Sequence, residues 1–290
     1  MSLHEEMIQI GTQALDASRE LVLSNSRKKN AILLAMADEL EARQDDIAAA
    51  NAKDIAAGQE AGLNPAMLDR LLLSPARMDS MISSLREVAA LKDPVGDKIS
   101  RWLRPNGLEI VKQRVPIGVI GIIYESRPNV TADTAGLCIK TSNAVILRGG
   151  KEAVHSNAAI ADALTAGGAK KGLPEHAIQL IRTTDRDAVR ELVQLDGYVD
   201  LVIPRGGEAL IRAVTEQAHV PVIKHYKGVC HTYVDESADL EMALSIAINA
   251  KCQRPGVCNA METLLVHEAV AEPFLSALAE AAADRELELR

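Results

Sequence analysis

The first 92 residues carry apolar side chains at the three- and four-residue spacing of an α-helix, with charged residues on the opposite face. The clearest run has its apolar positions at Ile32, Leu33, Met36, Leu40 and Ile47. Pro65 suits the first turn of a later helix, and the Asp93-Pro94 step disfavours helical backbone and ends the region. The pattern predicts a layer of amphipathic helices, for which packing is the simplest role.

From Ile99 the pattern changes to an alternation of apolar and polar residues, which is typical of a strand. The alternation continues on both sides of Pro105-Asn106-Gly107, where Asn-Gly accepts the positive φ angles of a tight turn. Residues 99–115 are therefore predicted to form a hairpin. It is either an ordinary surface hairpin or a projecting oligomerisation arm.

After Pro116, short β-branched runs alternate with helical stretches. Five runs are predicted to be strands: GVIGIIY, NAVILR, AIQLI, VDLVI and HVPVI. Strands joined by helical crossovers form parallel sheets, so we expect a Rossmann-type parallel sheet with helices on both faces. A second region begins near Val229, with the runs CHTYVD and NAMETLLVH each followed by a helix. The predicted fold is α/β, with a cofactor domain over residues 1–227 and part of a second α/β domain over 228–290.

Composition narrows the class of protein. The chain has 290 residues, enough for about two domains. Its net charge of −8 and its scarcity of aromatic residues argue against nucleic-acid binding. No apolar run is long enough to span a membrane, and the N-terminus lacks the pattern of a secretory signal. The four cysteines form no CxxC pair, which favours reduced thiols and a cytoplasmic enzyme.

The segment KCQRPGVCNAMETLLV places Cys258 in a turn directly before a predicted strand. Pro255 and Gly256 enforce the turn, and a nucleophilic thiol has to be accessible on a loop held by a rigid element. The alternative is that Cys258 is a small buried hydrophobic residue, as most cysteines are. Cys252, at the end of the preceding helix, is interpreted as structural.

Two further segments follow predicted strands. In YESRPNVTAD, Asn129 stands next to a proline, where its amide could donate to developing negative charge on an acyl oxygen; a turn-forming asparagine is the alternative. Arg148-Gly149-Gly150-Lys151 joins a strand to a helix, and its backbone N–H groups and cations suit an anion.

The glycine pair Gly206-Gly207 also lies between a strand and a helix, where it permits close approach of a phosphate. Alone it is only a turn signal, because the usual GxGxxG fingerprint of dinucleotide-binding folds is absent from the sequence. His225, Cys230 and His231 match no zinc spacing and no fourth ligand is evident, so no metal site is predicted.

Taken together, YESRPNVTADTAGLCIKTSNAVILRGGKEA, VDLVIPRGGEALI, PVIKHYKGVCHTYVD and NAKCQRPGVCNAMETLLV resemble the aldehyde dehydrogenase superfamily, and within it the γ-glutamyl phosphate reductase family. The resemblance covers essentially the whole chain. It implies that Cys258 is the nucleophile and that Asn129 belongs to the oxyanion hole together with the Cys258 backbone N–H. It implies that Arg148 and Lys151 hold the adenosine ribose and that Gly206-Gly207 face the pyrophosphate.

The resemblance also implies the reaction, which is NADPH-dependent reduction of L-glutamyl 5-phosphate to L-glutamate 5-semialdehyde through a cysteine thioester, in proline biosynthesis. NAD-preferring relatives often carry a glutamate at the position of Lys151, and a cation there should attract the 2′-phosphate of NADP. Hydrolytic relatives have a glutamate in an ELGG motif, whereas the matching stretch here, KHYKGVCH, has no carboxylate.

Two alternatives stay open at this point: an aldehyde-oxidising member of the superfamily, and a non-catalytic nucleotide-binding fragment. The second gains support from length, because family members continue well beyond residue 290 and the catalytic domain is expected to be truncated here. The resemblance also implies a homo-oligomer, with glutamate 5-kinase as a candidate partner.

Overall fold

The computed structural model describes residues 2–224, 228–255, 257–285 and 287. The chain divides into two compact units, Met1–Lys224 and His225–Arg290. The first unit combines a helical layer, a hairpin and a parallel sheet, and the second is a smaller α/β unit. None of the helices in the described ranges is long and apolar enough to cross a bilayer.

The N-terminal layer is helical, as its periodicity indicates. It consists of α1 (Leu3–Leu21), α2 (Ser26–Ala42), α3 (Gln44–Glu60), α4 (Pro65–Leu71) and α5 (Pro75–Ala90). Local chemistry determines where most of these helices begin. The side chains of Ser2, Asn25, Asn64 and Ser74 each accept a backbone N–H of the first turn of a helix. Pro65 occupies the first turn of α4, where its missing N–H costs nothing.

A hairpin follows this layer. Its strands β1 (Lys98–Leu103) and β2 (Glu109–Gln113) pair antiparallel. Gly107 in the turn has φ = +86°, a conformation that glycine adopts without strain. Every residue of β1 is exposed, including the apolar side chains of Trp102 and Leu103.

The core of the first unit is a parallel sheet with the strand order β5-β4-β3-β6. Its strands are β3 (Val119–Tyr124), β4 (Ala144–Arg148), β5 (Ile178–Leu180) and β6 (Leu201–Arg205). Every residue of β3 and β4 is buried. Because successive side chains of a strand point to opposite faces, both faces of the sheet must be covered. The predicted α/β class with a parallel sheet is confirmed.

Helical crossovers connect the strands and set the position of a ligand site. They are α6 (Asn129–Lys140), α7 (Val154–Ala169) and α8 (Asp187–Val193), and α9 (Glu208–Gln217) follows the last strand. The chain moves outward from β3 to β4 and β5, and then returns to place β6 on the other side of β3. Sheets of this kind bind ligands beyond the carboxyl ends of the strands, where the order reverses. That point lies between β3 and β6.

The predicted strand HVPVI is wrong in its extent. Only Val222 forms a bridge, a single parallel one with Val202 of β6. Pro221 has no N–H to give to a ladder, although its carbonyl accepts the N–H of Val202 at 2.8 Å. The segment therefore lies against the edge of the sheet without adding a full strand.

A buried carboxylate anchors α7 to the N-terminal layer. Asp54 of α3 is 2% exposed. Its Oδ2 accepts the backbone N–H of Ser156 at 2.7 Å and the Ser156 hydroxyl at 2.6 Å, and its Oδ1 accepts the N–H of His155 at 3.1 Å. Asp54 thus caps the first turn of α7 from another helix and places a negative charge at its positive end.

A second buried contact ties α2 to the turn after α6. Lys29, which is 1% exposed, lies 2.6 Å from the carboxylate of Asp93 and donates to the Ser142 hydroxyl at 3.0 Å. Ser142 has φ = +59°, an uncommon conformation for a residue with a side chain. Lys29 therefore stabilises the turn at Ser142 and also forms a buried ion pair with Asp93.

The second unit is built on β7 (Cys230–Val234) and β8 (Met261–Val266), which pair in parallel. Helix α10 (Leu240–Cys252) connects them, and α11 (Glu268–Ala282) follows. Its buried apolar residues form a separate core: Val234, Ala243, Ala247, Met261, Phe274 and Leu278. This core gives the unit packing of its own.

Replacing Asp54 should destabilise the first unit. Asp54→Ala removes the cap of α7 and leaves buried donors of Ser156 unpaired, so we expect the free energy of unfolding to fall by about 2–4 kcal/mol. Urea unfolding followed by far-UV circular dichroism measures the change. Asp46→Ala, an exposed aspartate on the same helix, is the control and should cost less than about 1 kcal/mol. Equal losses in the two variants would contradict the anchoring role.

Candidate active site

The carboxyl edge of the sheet brings three predicted turns together. Strand β3 pairs with β4 and with β6 up to the last residue of each neighbour. The turns that carry Asn129, Gly149-Gly150 and Gly206-Gly207 therefore leave the sheet side by side. The structure thus collects the predicted residues of the first unit at the edge where such sheets bind ligands.

Asn129 is the first residue of α6, directly after a turn with an unusual backbone. Ser126 in that turn has φ = +48° and is buried. The carboxylate of Glu152, from the turn after β4, accepts the Ser126 N–H at 2.6 Å and the Ser126 hydroxyl at 2.8 Å. These two hydrogen bonds hold the strained residue and join the Asn129 turn to the neighbouring one.

The other side of the same turn rests on a buried hydroxyl network. Tyr124, the last residue of β3, lies 2.6 Å from the Thr131 hydroxyl, which donates to the Asn157 amide oxygen at 3.1 Å. All three side chains are buried. Burial raises the pKa of the Tyr124 hydroxyl well above its usual value, so the network stays neutral. Hydrogen bonds on both sides of Asn129, at Ser126 and at Thr131, therefore connect this segment to the start of α7.

The Asn129 side chain has a defined partner. Its amide Nδ2 donates to Oδ2 of Asp133, one turn further along α6, at 2.9 Å. Both residues are half-buried. Burial raises the pKa of the Asp133 carboxyl, against the opposing effects of the Asn129 hydrogen bond and the charge of Arg205.

Arg148 is the last residue of β4 and lies at the same edge. Its side chain is largely buried, and its guanidinium donates to the carbonyl of Gly149 at 2.5 Å and to those of Thr184 and Asp185 at 3.1 Å. Burial lowers the pKa of Arg148. Its Nε has no hydrogen-bond partner within the described ranges. The arginine joins the turn after β4 to the turn after β5.

Lys151, in contrast, is exposed. It begins a short 3-10 turn, Lys151–Ala153, that leads into α7. A cavity of about 150 Å³ lies beside this turn. Its lining includes the backbone of Gly149 and Gly150 and the polar residues His155, Asn157, Arg182, Thr183 and Thr184.

Gly206 and Gly207 form the turn between β6 and α9. The N–H of Gly207 donates to the carboxylate of Glu125 at 3.0 Å, so a carboxylate of the chain itself lies at the start of α9. A Cβ on Gly206 would clash with that carboxylate. Gly207, in contrast, has open space where a Cβ would point. The turn is accessible to a ligand, and its backbone donor already binds a negative group.

Cys258 lies in the second unit, in the turn between α10 and β8. It is exposed, whereas Cys138 is buried and Cys230 and Cys252 are half-buried. Burial raises the pKa of the Cys138 thiol to about 12, so this thiol stays protonated. The backbone carbonyl of Cys258 lies 3.5 Å from the Cys230 sulfur, a contact that supports the turn. Gly256, which the sequence places in this turn, is outside the described residues.

The residues considered for a metal do not form a centre within the described part of the chain. The ring Nδ1 of His231 lies 2.7 Å from the carbonyl of Val229, and His225 is outside the described residues. Across residues 2–224, 228–255 and 257–285, no three His, Cys, Asp or Glu side chains come together as metal ligands.

Sequence reasoning missed several residues of this edge. Glu125, Asp133 and Glu152 all contact a predicted site residue or its turn. Two signals could have found them. Glu125 directly follows one predicted strand, Glu152 lies four residues after the end of another, and Asp133 stands four residues after Asn129, one helical turn away.

Comparison with known proteins assigns this chain to a family. The model of the aldehyde dehydrogenase family matches residues 3–288. A gamma-glutamyl phosphate reductase of Moorella thermoacetica is 58% identical over 97% of this chain and 67% of the relative. The corresponding protein of Citrifermentans bemidjiense is 52% identical over 100% of this chain and 69% of the relative. The chain belongs to the gamma-glutamyl phosphate reductases of the aldehyde dehydrogenase family.

The solved structures agree with this assignment. The crystal structure of gamma-glutamyl phosphate reductase from Thermotoga maritima superimposes with a TM-score of 0.88 at 44% identity, over 98% of this chain and 68% of that one. The chain thus spans about two thirds of the length of these relatives. Members of the aldehyde dehydrogenase family use NAD or NADP, which fits the glycine turns at the carboxyl edge of the sheet.

Removing the Glu152 carboxylate should loosen the turn that leads to Asn129. Glu152→Ala leaves the N–H of buried Ser126 unpaired in a strained conformation, and we expect a loss of about 1–3 kcal/mol in the free energy of unfolding. Glu152→Gln keeps an acceptor oxygen and should lose less. Urea unfolding followed by circular dichroism compares the two variants.

Glu216→Ala, an exposed glutamate in α9, is the control and should stay within about 0.5 kcal/mol of the parent. If Glu152→Ala is as stable as this control, the two hydrogen bonds to Ser126 do not hold the turn.

Proposed function

We propose that this chain reduces L-glutamyl 5-phosphate to L-glutamate 5-semialdehyde with NADPH and releases phosphate, as an enzyme of proline biosynthesis. The observation that carries the proposal is identity of 52–58% over at least 97% of the chain with proteins named gamma-glutamyl phosphate reductase. The exposed thiol of Cys258 and the turns at the carboxyl edge of the sheet supply the groups that such a reaction needs.

Cys258 acts as the nucleophile. As a thiolate it attacks the acyl carbon of the acyl phosphate and forms a tetrahedral species with a negative oxygen. The Asn129 amide and the Cys258 backbone N–H donate to that oxygen. When the carbonyl re-forms, the bond to phosphate breaks. Phosphate needs no strong acid to leave, and the product is a thioester on Cys258.

The cofactor fits the carboxyl edge of the first unit. The open space beside Gly207 allows a pyrophosphate to approach the backbone, and Lys151 offers an exposed cation to the 2′-phosphate. Arg148 adds positive charge at this edge and joins the turn after β4 to the turn after β5. When bound, NADPH supplies the hydride that reduces the thioester. Collapse of the resulting hemithioacetal releases the aldehyde and returns the Cys258 thiolate.

A coupled assay tests the function directly. The purified chain is mixed with NADPH and L-glutamyl 5-phosphate freshly made by glutamate 5-kinase, the expected upstream partner. NADPH absorbance is followed beside phosphate release. The proposal expects one phosphate per NADPH. An aldehyde-oxidising enzyme would instead reduce NADP in the presence of aldehyde alone, without phosphate, and a non-catalytic protein would bind cofactor without turnover.

Cys258 should be the one cysteine whose loss abolishes chemistry. Cys258→Ala removes an exposed side chain, so we expect the fold and NADPH binding to persist while turnover and acylation by substrate disappear. Mass spectrometry of the acylated protein and the absorbance assay measure both effects. Cys252→Ala, on the neighbouring helix end, is the matched control and should retain turnover. Loss of activity in the control alone would assign the nucleophile to Cys252.

Lys151 should determine the preference for NADPH over NADH. A charge-assisted hydrogen bond to the 2′-phosphate contributes about 1.5–3 kcal/mol, so Lys151→Glu should weaken NADPH binding by at least tenfold and narrow the gap to NADH. Fluorescence titration with both cofactors measures the effect. Lys171→Glu makes the same charge change at another exposed lysine and should leave both affinities unchanged. Equal affinity of the parent for NADPH and NADH would refute the role of Lys151.

A further inference from the structure

The backbone around Asn129 is fixed independently of its side chain. Glu152 binds the N–H and hydroxyl of Ser126 on one side, and Asn157 and Tyr124 bind the Thr131 hydroxyl on the other. With both sides held, the freedom that remains to Asn129 is rotation of its side chain. An amide that rotates by half a turn offers its oxygen where its N–H groups were, and a carbonyl oxygen repels an oxyanion.

Asp133 removes this ambiguity. Residues four apart on a helix share a face, and the Asp133 carboxylate accepts the Asn129 Nδ2–H at 2.9 Å. An ionised carboxylate can only accept hydrogen bonds, so it selects the nitrogen of the amide and excludes the oxygen. The amide nitrogen carries two N–H groups. Asp133 takes one of them, and the other remains available to a ligand.

The surroundings of Asp133 favour a specific pairing over a solvated charge. The residue is half-buried, where a hydrogen bond is stronger than in water and an unpaired carboxylate is costly. Arg205, at the end of β6, is the nearby positive charge that acts on it. The hydrogen bond therefore stabilises the half-buried Asp133 carboxylate and at the same time orients the Asn129 amide.

We propose that Asp133 is the positioning residue of the oxyanion donor: it orients the Asn129 amide so that the second Nδ2–H points to the acyl oxygen. The proposal rests on the proposed function for its chemistry, since Asn129 has to be the donor. Asp133 itself acts through Asn129 and makes no contact with the acyl group.

A double-mutant cycle tests whether Asp133 acts through Asn129. The kcat and KM values of the parent, Asp133→Ala, Asn129→Ala and the double variant are compared, with NADPH affinity measured for each. We expect Asp133→Ala to lower kcat about 10- to 100-fold, the size of effect that misplacement of a catalytic group produces, with KM and NADPH affinity nearly unchanged. In the Asn129→Ala background the same change should alter kcat by less than about twofold.

Two results would overturn the proposal. If Asp133→Ala lowers kcat equally with and without Asn129, the carboxylate acts on something else. If it raises KM at constant kcat, Asp133 contributes to substrate binding. Asp133→Asn keeps an acceptor oxygen and should recover part of the lost kcat. Thr134→Val, the next residue of the same helix, loses only a hydroxyl that bonds to the Val130 carbonyl and is the control for helix stability.

An observation that needs no turnover separates this proposal from the proposed function. In the protein labelled with ¹⁵N asparagine, the two side-chain N–H signals of Asn129 are assigned from their loss in Asn129→Ala. We expect one of them shifted downfield by the bond to Asp133, and this shift should vanish in Asp133→Ala but persist in Thr134→Val. If the parent fails to reduce glutamyl phosphate, the proposed function fails, and this spectrum still decides whether Asp133 orients the amide. Two signals at the ordinary positions of a solvated asparagine amide in the parent, unchanged in Asp133→Ala, would overturn the proposal.

Discussion

Strand β3 has no free edge and no exposed face, and this constraint determines where the first unit can carry chemistry. Its backbone pairs with β4 on one side and β6 on the other, and all its side chains are buried. Polar groups are excluded from its length and have to lie at its ends. The reversal of strand order beside β3 leaves the carboxyl end as the open one. The polar turns that carry Asn129 and Gly206 therefore lie at the carboxyl ends of the strands, because the buried interior of the sheet excludes polar groups.

The N-terminal helices do more than cover the sheet. Asp54 reaches from α3 to the first turn of α7. That turn holds Thr131 through Asn157, and the short 3-10 turn directly before it holds Ser126 through Glu152. Each step is a hydrogen bond between groups that are buried or nearly so, and such groups are costly to leave unpaired. The orientation of the turn before α6 therefore depends on a carboxylate more than seventy residues earlier in the chain.

The sequence predicts the strands and turns whose formation depends on residues close together in the chain. Local patterns predict the β-branched strands β3, β4, β5 and β6 and the turn at Gly206-Gly207. Burial of a strand and the geometry of a turn each require particular residue types within a few positions. Contacts between distant positions left no such mark. Glu152 and Ser126 are 26 residues apart, and nothing in either segment indicates the other. Arg148 was predicted at the correct edge, yet only the fold shows that its guanidinium binds the carbonyls of the next turn. The prediction of a full strand over HVPVI is wrong in its extent because Pro221 has no N–H to donate to a neighbouring strand.

The exposed hairpin of β1 and β2 affects how the protein can be observed. It carries Trp102, the one tryptophan of the chain, which is 44% exposed on a strand whose residues all face solvent. Indole emission therefore reports the environment of this arm and is nearly blind to melting of the buried sheet. The same optical isolation is an advantage when something covers the arm. A blue shift of the emission at constant circular dichroism would then be an intrinsic, label-free signal of contact at the hairpin.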